Sequence, residues 1–309
     1  MVSAAHLSHD PLWPRAGSWP AFTGTADAVL LGVPTWRTSL SPTGAHATPA
    51  AIRGALPRYG TTVMGPPAVE LDDVLRIADA GDVADPDGSA GEARVISRVR
   101  EIAAAAQLVI ALGGDNSLTY PVALGAEATG LITFDAHFDL RDGISNGTPV
   151  RRLVQDTPAA SSVPTARIDP TRIVQIGIAD FANSAAYARR ATEWGIRVVT
   201  LDELRRRGVD DVVAEALEVA GAGADARIHL DIDVDVCDRS VAPGCPASVP
   251  GGLQAWELRA LTRAVAADRR VVSADLAEVD ATADTADART VRLAALCVLE
   301  LLAGLASRG

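Results

Sequence analysis

The chain has 309 residues, 48% hydrophobic and 22% charged, which is enough apolar material for one large core and unlike the composition of a disordered segment. Its formal charge of −11 excludes nucleic acid or an anionic membrane as the natural partner, because neutralising phosphate requires a basic face. No stretch reaches the roughly 18 consecutive apolar residues of a membrane span, the start lacks a secretory leader pattern, and Cys237, Cys245 and Cys297 have no zinc-like spacing, so a cytoplasmic protein is expected.

In chain order, residues 1–24 contain DPLWPRAGSWP and predict an irregular N-terminal arm. No Gly/Ser-rich or Pro-rich linker follows in the middle of the sequence, and a single domain over 1–309 is expected. Short apolar runs then recur: DAVLLGVP, VLRIADAG, QLVIALGG, GLITFDAH, RIVQIGIA, IRVVTLDE, ARIHLDID and VVSADLAE. Each reads as a buried strand. Helical spacing occupies 92–106, 183–194, 202–220, 255–267 and 284–307, several of these opening near a Ser, Asp or Thr cap. Alternation of this kind predicts a three-layer α/β/α fold with a mostly parallel sheet of about eight strands.

Ligands of such sheets gather beyond the carboxyl ends of the strands, and the polar clusters of this chain fall there: ALGGDN, DAHFD, DIDVDVCD and AEVD. Period-two geometry points Asp135, His137 and Asp139 to one side, and gives Asp231, Asp233 and Asp235 a shared parity. So many carboxylates cannot all stay ionised at a strand end without positive charge nearby. A divalent metal resolves the conflict, and mixed carboxylate and imidazole ligands suit manganese, iron or zinc. Together the clusters hold enough ligands for two ions, an arrangement that activates water near neutral pH. A calcium-like structural site or a solvated acidic loop is the plainer alternative.

GGDNS, DAHFD, DIDVDVCDRSVAPGCPASVPGG and AEVD resemble, in order and spacing, the signature blocks of the ureohydrolase superfamily of dimanganese hydrolases, which includes arginases, agmatinases and formimidoylglutamases. LGVPTWRTSLSPTGAHATPAAIR resembles the loop that follows the first strand in that superfamily, so the likeness runs over nearly the whole chain. It implies an arginase-like fold, a homo-oligomer, and manganese held by Asp135, His137, Asp139, Asp233 and Asp235. It also implies that Asp139 acts as proton carrier and that Glu278 holds the cationic amidine or guanidine group. Asp238 falls at a loop aspartate, and Asp231 and His229 lie behind the ligands. Asn116 departs from the pattern, because a histidine ligand normally stands there. A neutral amide oxygen is a poorer donor for manganese. The metal near Asn116 is therefore expected to be weakly or partly held, with Asp231 adding compensating charge; a one-metal site and a non-catalytic ligand-binding homologue are the other readings of this change.

DGISNGTPVRRLVQD predicts a rim loop by its Gly, Asn and Pro content. SNGTPVRRL together with GGDN resembles the actinobacterial formimidoylglutamase branch, which implies N-formimino-L-glutamate as substrate and glutamate and formamide as products. Asn146 and Thr148 lie in that loop. A substrate with two carboxylates calls for local arginine forks, and Arg37, Arg141, Arg151 and Arg152 fall in predicted rim segments, where a purely solubilising role is equally open. A guanidino substrate that releases urea is the alternative. Cys245 lies in the DIDVDVCDRSVAPGC block, as a reactive thiol or as packing.

Overall fold

The eight apolar runs pack side by side as one parallel sheet in the computed structural model, which describes residues 10–156 and 167–308. The strands are β1 (Ala26–Val33), β4 (Ile77–Asp82), β5 (Ala106–Gly113), β6 (Gly130–Phe134), β7 (Ile173–Ile178), β8 (Arg197–Thr200), β9 (Ile228–Asp233) and β10 (Val271–Ala277). A separate antiparallel pair, β2 (Thr62–Val63) and β3 (Val69–Glu70), lies outside the sheet and is not evident from the sequence. Every residue of β6, β7 and β9 is buried, as expected for parallel strands covered on both faces.

Strand order is β4-β1-β5-β10-β9-β6-β7-β8, so the last strand in the chain is inserted at the centre. Register aligns Asp275, Asp231, Thr133 and Gln175 in one row across β10, β9, β6 and β7. The core contains Leu30, Ile110, Phe134, Ile176, Ile232 and Leu276 from six different strands, joined by Leu258, Leu261, Val298 and Leu301 from two of the covering helices.

Helices form close to the predicted places, with differences that have local causes. The segment 202–220 is two helices, Leu201–Arg207 and Val209–Ala220, because Gly208 at φ 89 breaks the ladder between them. The helix expected from 92 starts at Gly88, and the last helix runs Arg289–Ala306 rather than from 284. Pro149 turns the second half of the predicted rim loop into a helix, Pro149–Gln155, since proline is pre-set for the first helical position. Residues 1–9 of the expected N-terminal arm lie outside the described residues; Arg15 bridges to Gly60 and Ala21 to Asp79, which ties the rest of the arm to the body. No helix among the described residues is long and apolar enough to cross a membrane.

Candidate metal centre and its cavity

Four neighbouring strands, β5, β10, β9 and β6, deliver polar groups to one crevice. After β5 the chain turns through Gly114, where an added Cβ would lie 2.2 Å from the Thr35 carbonyl oxygen. Only glycine lets the two backbones approach so closely, and the Asp115 N–H donates to that same oxygen at 2.9 Å. Asn116 follows. Its Nδ2 donates to Asp139 Oδ2 at 2.7 Å, its Oδ1 accepts from Thr119 Oγ1 at 2.6 Å, and its backbone N–H donates to Glu278 Oε1 at 2.8 Å.

Beyond β6, Asp135 Oδ1 accepts the His137 N–H at 2.6 Å, and the Ala136 N–H donates to Asp235 Oδ1 at 3.1 Å. Beyond β9, Asp233 Oδ1 accepts the Asp235 N–H at 2.8 Å. His137 Nδ1 lies 2.7 Å from Asp235 Oδ2 and 3.5 Å from Asp135 Oδ1. Two candidate ligand triads result, Asp135/His137/Asp235 and Asp135/Asp139/Asp233, each with donor atoms within 4.8 Å of one another. Glu278, just past β10 at φ 60, completes the group, and Asn146 Nδ2 donates to its Oε1 at 2.8 Å.

Burial makes this concentration of charge costly. Asp135 is pushed up to about 7 by burial and then by the Asp235 charge. Asp139 and Asp233 are raised for the same reason, burial first and neighbouring carboxylates second. Glu278 rises to about 8 through burial and Asp115, against hydrogen bonds from Asn146 and Asn116. Burial opposes charge on His137, but Asp235 and Asp135 outweigh it and raise the imidazole to about 12. Burial would raise Asp235 too, yet the His137 charge and hydrogen bond hold it below the ordinary range. Asp135 Oδ2 is buried and has no hydrogen-bond partner. Four buried carboxylates facing one imidazole, with an orphaned oxygen among them, form an oxygen-rich donor set that fits two divalent cations in charge and ligand type.

A cavity of about 380 Å³ opens onto this group. His137, Asp139, Asp233, Asp235, Glu278, Asn146 and Arg141 line it, and Leu40 and Phe181 stand at its exposed rim. Arg141 is the sole guanidinium among the lining residues.

Three of the expected substrate contacts are not brought to the cavity. Arg151 donates to the carbonyls of Arg141 and Gly143 and to Asp156, so its fork holds the rim loop together. Thr148 is buried, and its hydroxyl bonds to the Ser145 backbone at the start of the following helix. Arg37 is exposed and lies 3.6 Å from Asp85. Arg152 is likewise structural: it pairs with Glu92 and Asp156 and stacks on Tyr120.

Of the residues expected behind the ligands, His229 and Asp231 lie on β9 ahead of Asp233, and Asp238 lies in the loop after it. His229 bonds to Ser273 Oγ at 2.8 Å and Asp275 Oδ2 at 3.0 Å. Asp231 sits one row below Asp233 with neither carboxylate oxygen partnered, and burial, then Asp275, Asp135 and Asp139, raise its pKa. Asp238 accepts from Ser240 and Gly251 and fixes the loop after β9. Cys245 is fully buried, with its thiol raised by burial and then by Asp235 and Glu278, which favours packing over reactivity. Two site residues were not foreseen. Gln175 and Asn183 grip the backbone of the 135–139 segment; a lone polar residue inside the apolar run RIVQIGIA was the available signal for the first.

A parallel α/β sheet with a carboxylate-rich candidate metal centre at its carboxyl edge has the make-up of a metal-dependent hydrolase, in which bound ions activate water. A family model described as the arginase family matches residues 26–304, and the chain belongs to that family. It is 35% identical to a formimidoylglutamase of Halalkalibacterium halodurans over 292 residues, covering 89% of this chain and 86% of the relative. It is 33% identical to a guanidinopropionase of Pseudomonas aeruginosa over 300 residues, covering 93% and 90%. The crystal structure of formimidoylglutamase from Bacillus subtilis superposes with a TM-score of 0.87 at 30% identity, covering 99% of this chain and 96% of that one.

Proposed function

We propose that this enzyme hydrolyses N-formimino-L-glutamate to L-glutamate and formamide, with manganese held by Asp135, His137, Asp139, Asp233 and Asp235 and a weaker contribution from Asn116. The observation that carries the reading is that the carboxylate centre and one guanidinium, Arg141, line the same cavity. An amidine bearing carboxylates fits that polarity, with its cationic carbon toward the centre and its acidic end toward Arg141. When bound, the ions supply Lewis acidity and lower the pKa of water so that hydrolysis runs near neutral pH.

The chain's own residues supply the rest. Glu278, oriented by Asn146 and by the Asn116 N–H, accepts hydrogen bonds from the cationic amidine and fixes its carbon over the centre. Water adds to that carbon, the bond to the glutamate nitrogen breaks, and Asp139 passes the water's proton to the departing nitrogen. Asn116 Nδ2 holds Asp139 Oδ2 in place for that transfer. Arg141 orients the leaving glutamate. The same reading takes 1–309 as one catalytic domain working in the cytoplasm as a homo-oligomer, by analogy with the family.

A guanidino acid is the second reading, favoured by the guanidinopropionase relative, because its carboxylate would also meet Arg141. Incubation of the manganese-loaded enzyme with each substrate separates the two: formamide is expected as product, and release of urea alone would replace the first reading by the second. Arg141→Ala is expected to raise KM roughly tenfold or more with kcat little changed. An unaltered KM would remove Arg141 from the site.

A further inference from the structure

Strand β7 and the loop after it give no carboxylate to the metal centre, yet two side-chain amides from them hold the backbone that does. Gln175, fully buried in β7, donates through Nε2 to the Phe138 carbonyl oxygen at 2.9 Å. Asn183 accepts the Phe138 N–H through Oδ1 at 3.0 Å. Its Nδ2 donates to the Ala136 carbonyl at 2.7 Å and to the Ala179 carbonyl at 3.3 Å. Both polar groups of Phe138 are therefore held by side chains of a neighbouring element.

The Phe138 carbonyl belongs to the peptide that leads into Asp139, so fixing it fixes the plane about which the φ of Asp139 turns. Asp139 has φ 51, a left-handed conformation that an L-residue keeps when its surroundings impose it. On the far side, the Arg151 N–H donates to the Asp139 carbonyl at 3.2 Å. With these bonds in place the Asp139 carboxylate meets those of Asp135 and Asp233. Relaxation to a negative φ would redirect the Cβ and carry the carboxylate out of that triad. Gln175 Oε1 is buried without a partner, a cost that a leucine in this apolar strand would avoid. The donor at Nε2 is what the amide supplies in return.

We infer that Gln175 and Asn183 are positioning residues of the metal centre, which impose the left-handed backbone of Asp139 and so set the third carboxylate of one ion's ligand set. This rests on the metal reading above. The test is calorimetric titration of Mn2+ into metal-free wild type, Gln175→Met and Asn183→Ala, with thermal midpoints measured with and without Mn2+. Each variant is expected to bind Mn2+ roughly 10–100-fold more weakly than wild type. Its metal-free midpoint is expected to stay close to that of wild type, with the loss confined to the Mn2+-induced rise. Wild-type affinity in the folded variants, or equal destabilisation with and without Mn2+, overturns the inference. Should Gln175→Met not fold, Asn183→Ala carries the test, because Asn183 lies on a partly exposed loop. A wild type that takes up no Mn2+ overturns the metal reading itself and the inference with it.

Discussion

Asn116 has both ends of its amide committed, Nδ2 to Asp139 and Oδ1 to Thr119. Coordination of an ion through Oδ1 would share an oxygen that already accepts from the Thr119 hydroxyl, and the ligand gained would be neutral. An imidazole at this position is the better donor for manganese. Asn116→His is accordingly expected to tighten the weaker of two Mn2+ binding steps by about tenfold, read in a titration that resolves the two. An unchanged or weakened step would show that Asn116 serves to orient Asp139 and has no part in holding the ion. At this scale the convergence of the candidate ligands was legible, since Asp135, His137, Asp233 and Asp235 alternate at the ends of apolar runs. The fates of Arg151 and Thr148 were not, because a guanidinium or hydroxyl in a loop can satisfy its own backbone as readily as a substrate, and sequence does not distinguish the two.

Strand β5 and the loop after β1 meet at Gly114, against the backbone of Thr35. Gly114→Ala forces a methyl group into that contact, and a destabilisation of about 1–3 kcal/mol is expected from overpacking alone, seen as a lower midpoint in chemical denaturation. Mn2+ affinity should fall with it, because Asn116 and Glu278 hang from the same turn: the Glu278 N–H donates to the Gly114 carbonyl at 2.9 Å. A variant of wild-type stability would show that the turn can move aside at no cost. The strands could be read from sequence because each is an apolar run long enough to be buried on both faces. The pair β2 and β3 could not, being two residues each, nor could the break at Gly208, where the apolar spacing continues across an interruption that only the backbone conformation reveals. Gln175 and Asn183 were hidden for a different reason: their partners are backbone groups of another element, and only tertiary pairing brings them together.

For the molecule as a whole, the centre couples metal, protons and stability. Asp135 near 7 and Glu278 near 8 compare with about 4 for carboxyls of an unfolded chain, so the metal-free fold binds extra protons across that window. Its stability from these groups is present at low pH and is lost as pH rises from about 4 to about 8; His137, raised to about 12, adds a loss of the same sign above about 6.5. Mn2+ competes with those protons. The gap in thermal midpoint between Mn2+-loaded and chelator-treated protein is therefore expected to be wider at about pH 8 than at about pH 5, and a gap that does not change with pH would sink this account. The order β4-β1-β5-β10-β9-β6-β7-β8 also bears on how the molecule comes into being. A ribosome delivers Val271–Ala277 after every other strand, yet that segment must enter between β5 and β9, which until then have no common neighbour. Such pairing, remote along the chain, makes for slow folding. Until that segment enters, β4-β1-β5, which leads to Asn116, and β9-β6-β7-β8, which leads to Asp135, His137, Asp139, Asp233 and Asp235, are two separate sets of strands, and the closing wedge brings Asn116 and its own Glu278 up to the other five side chains.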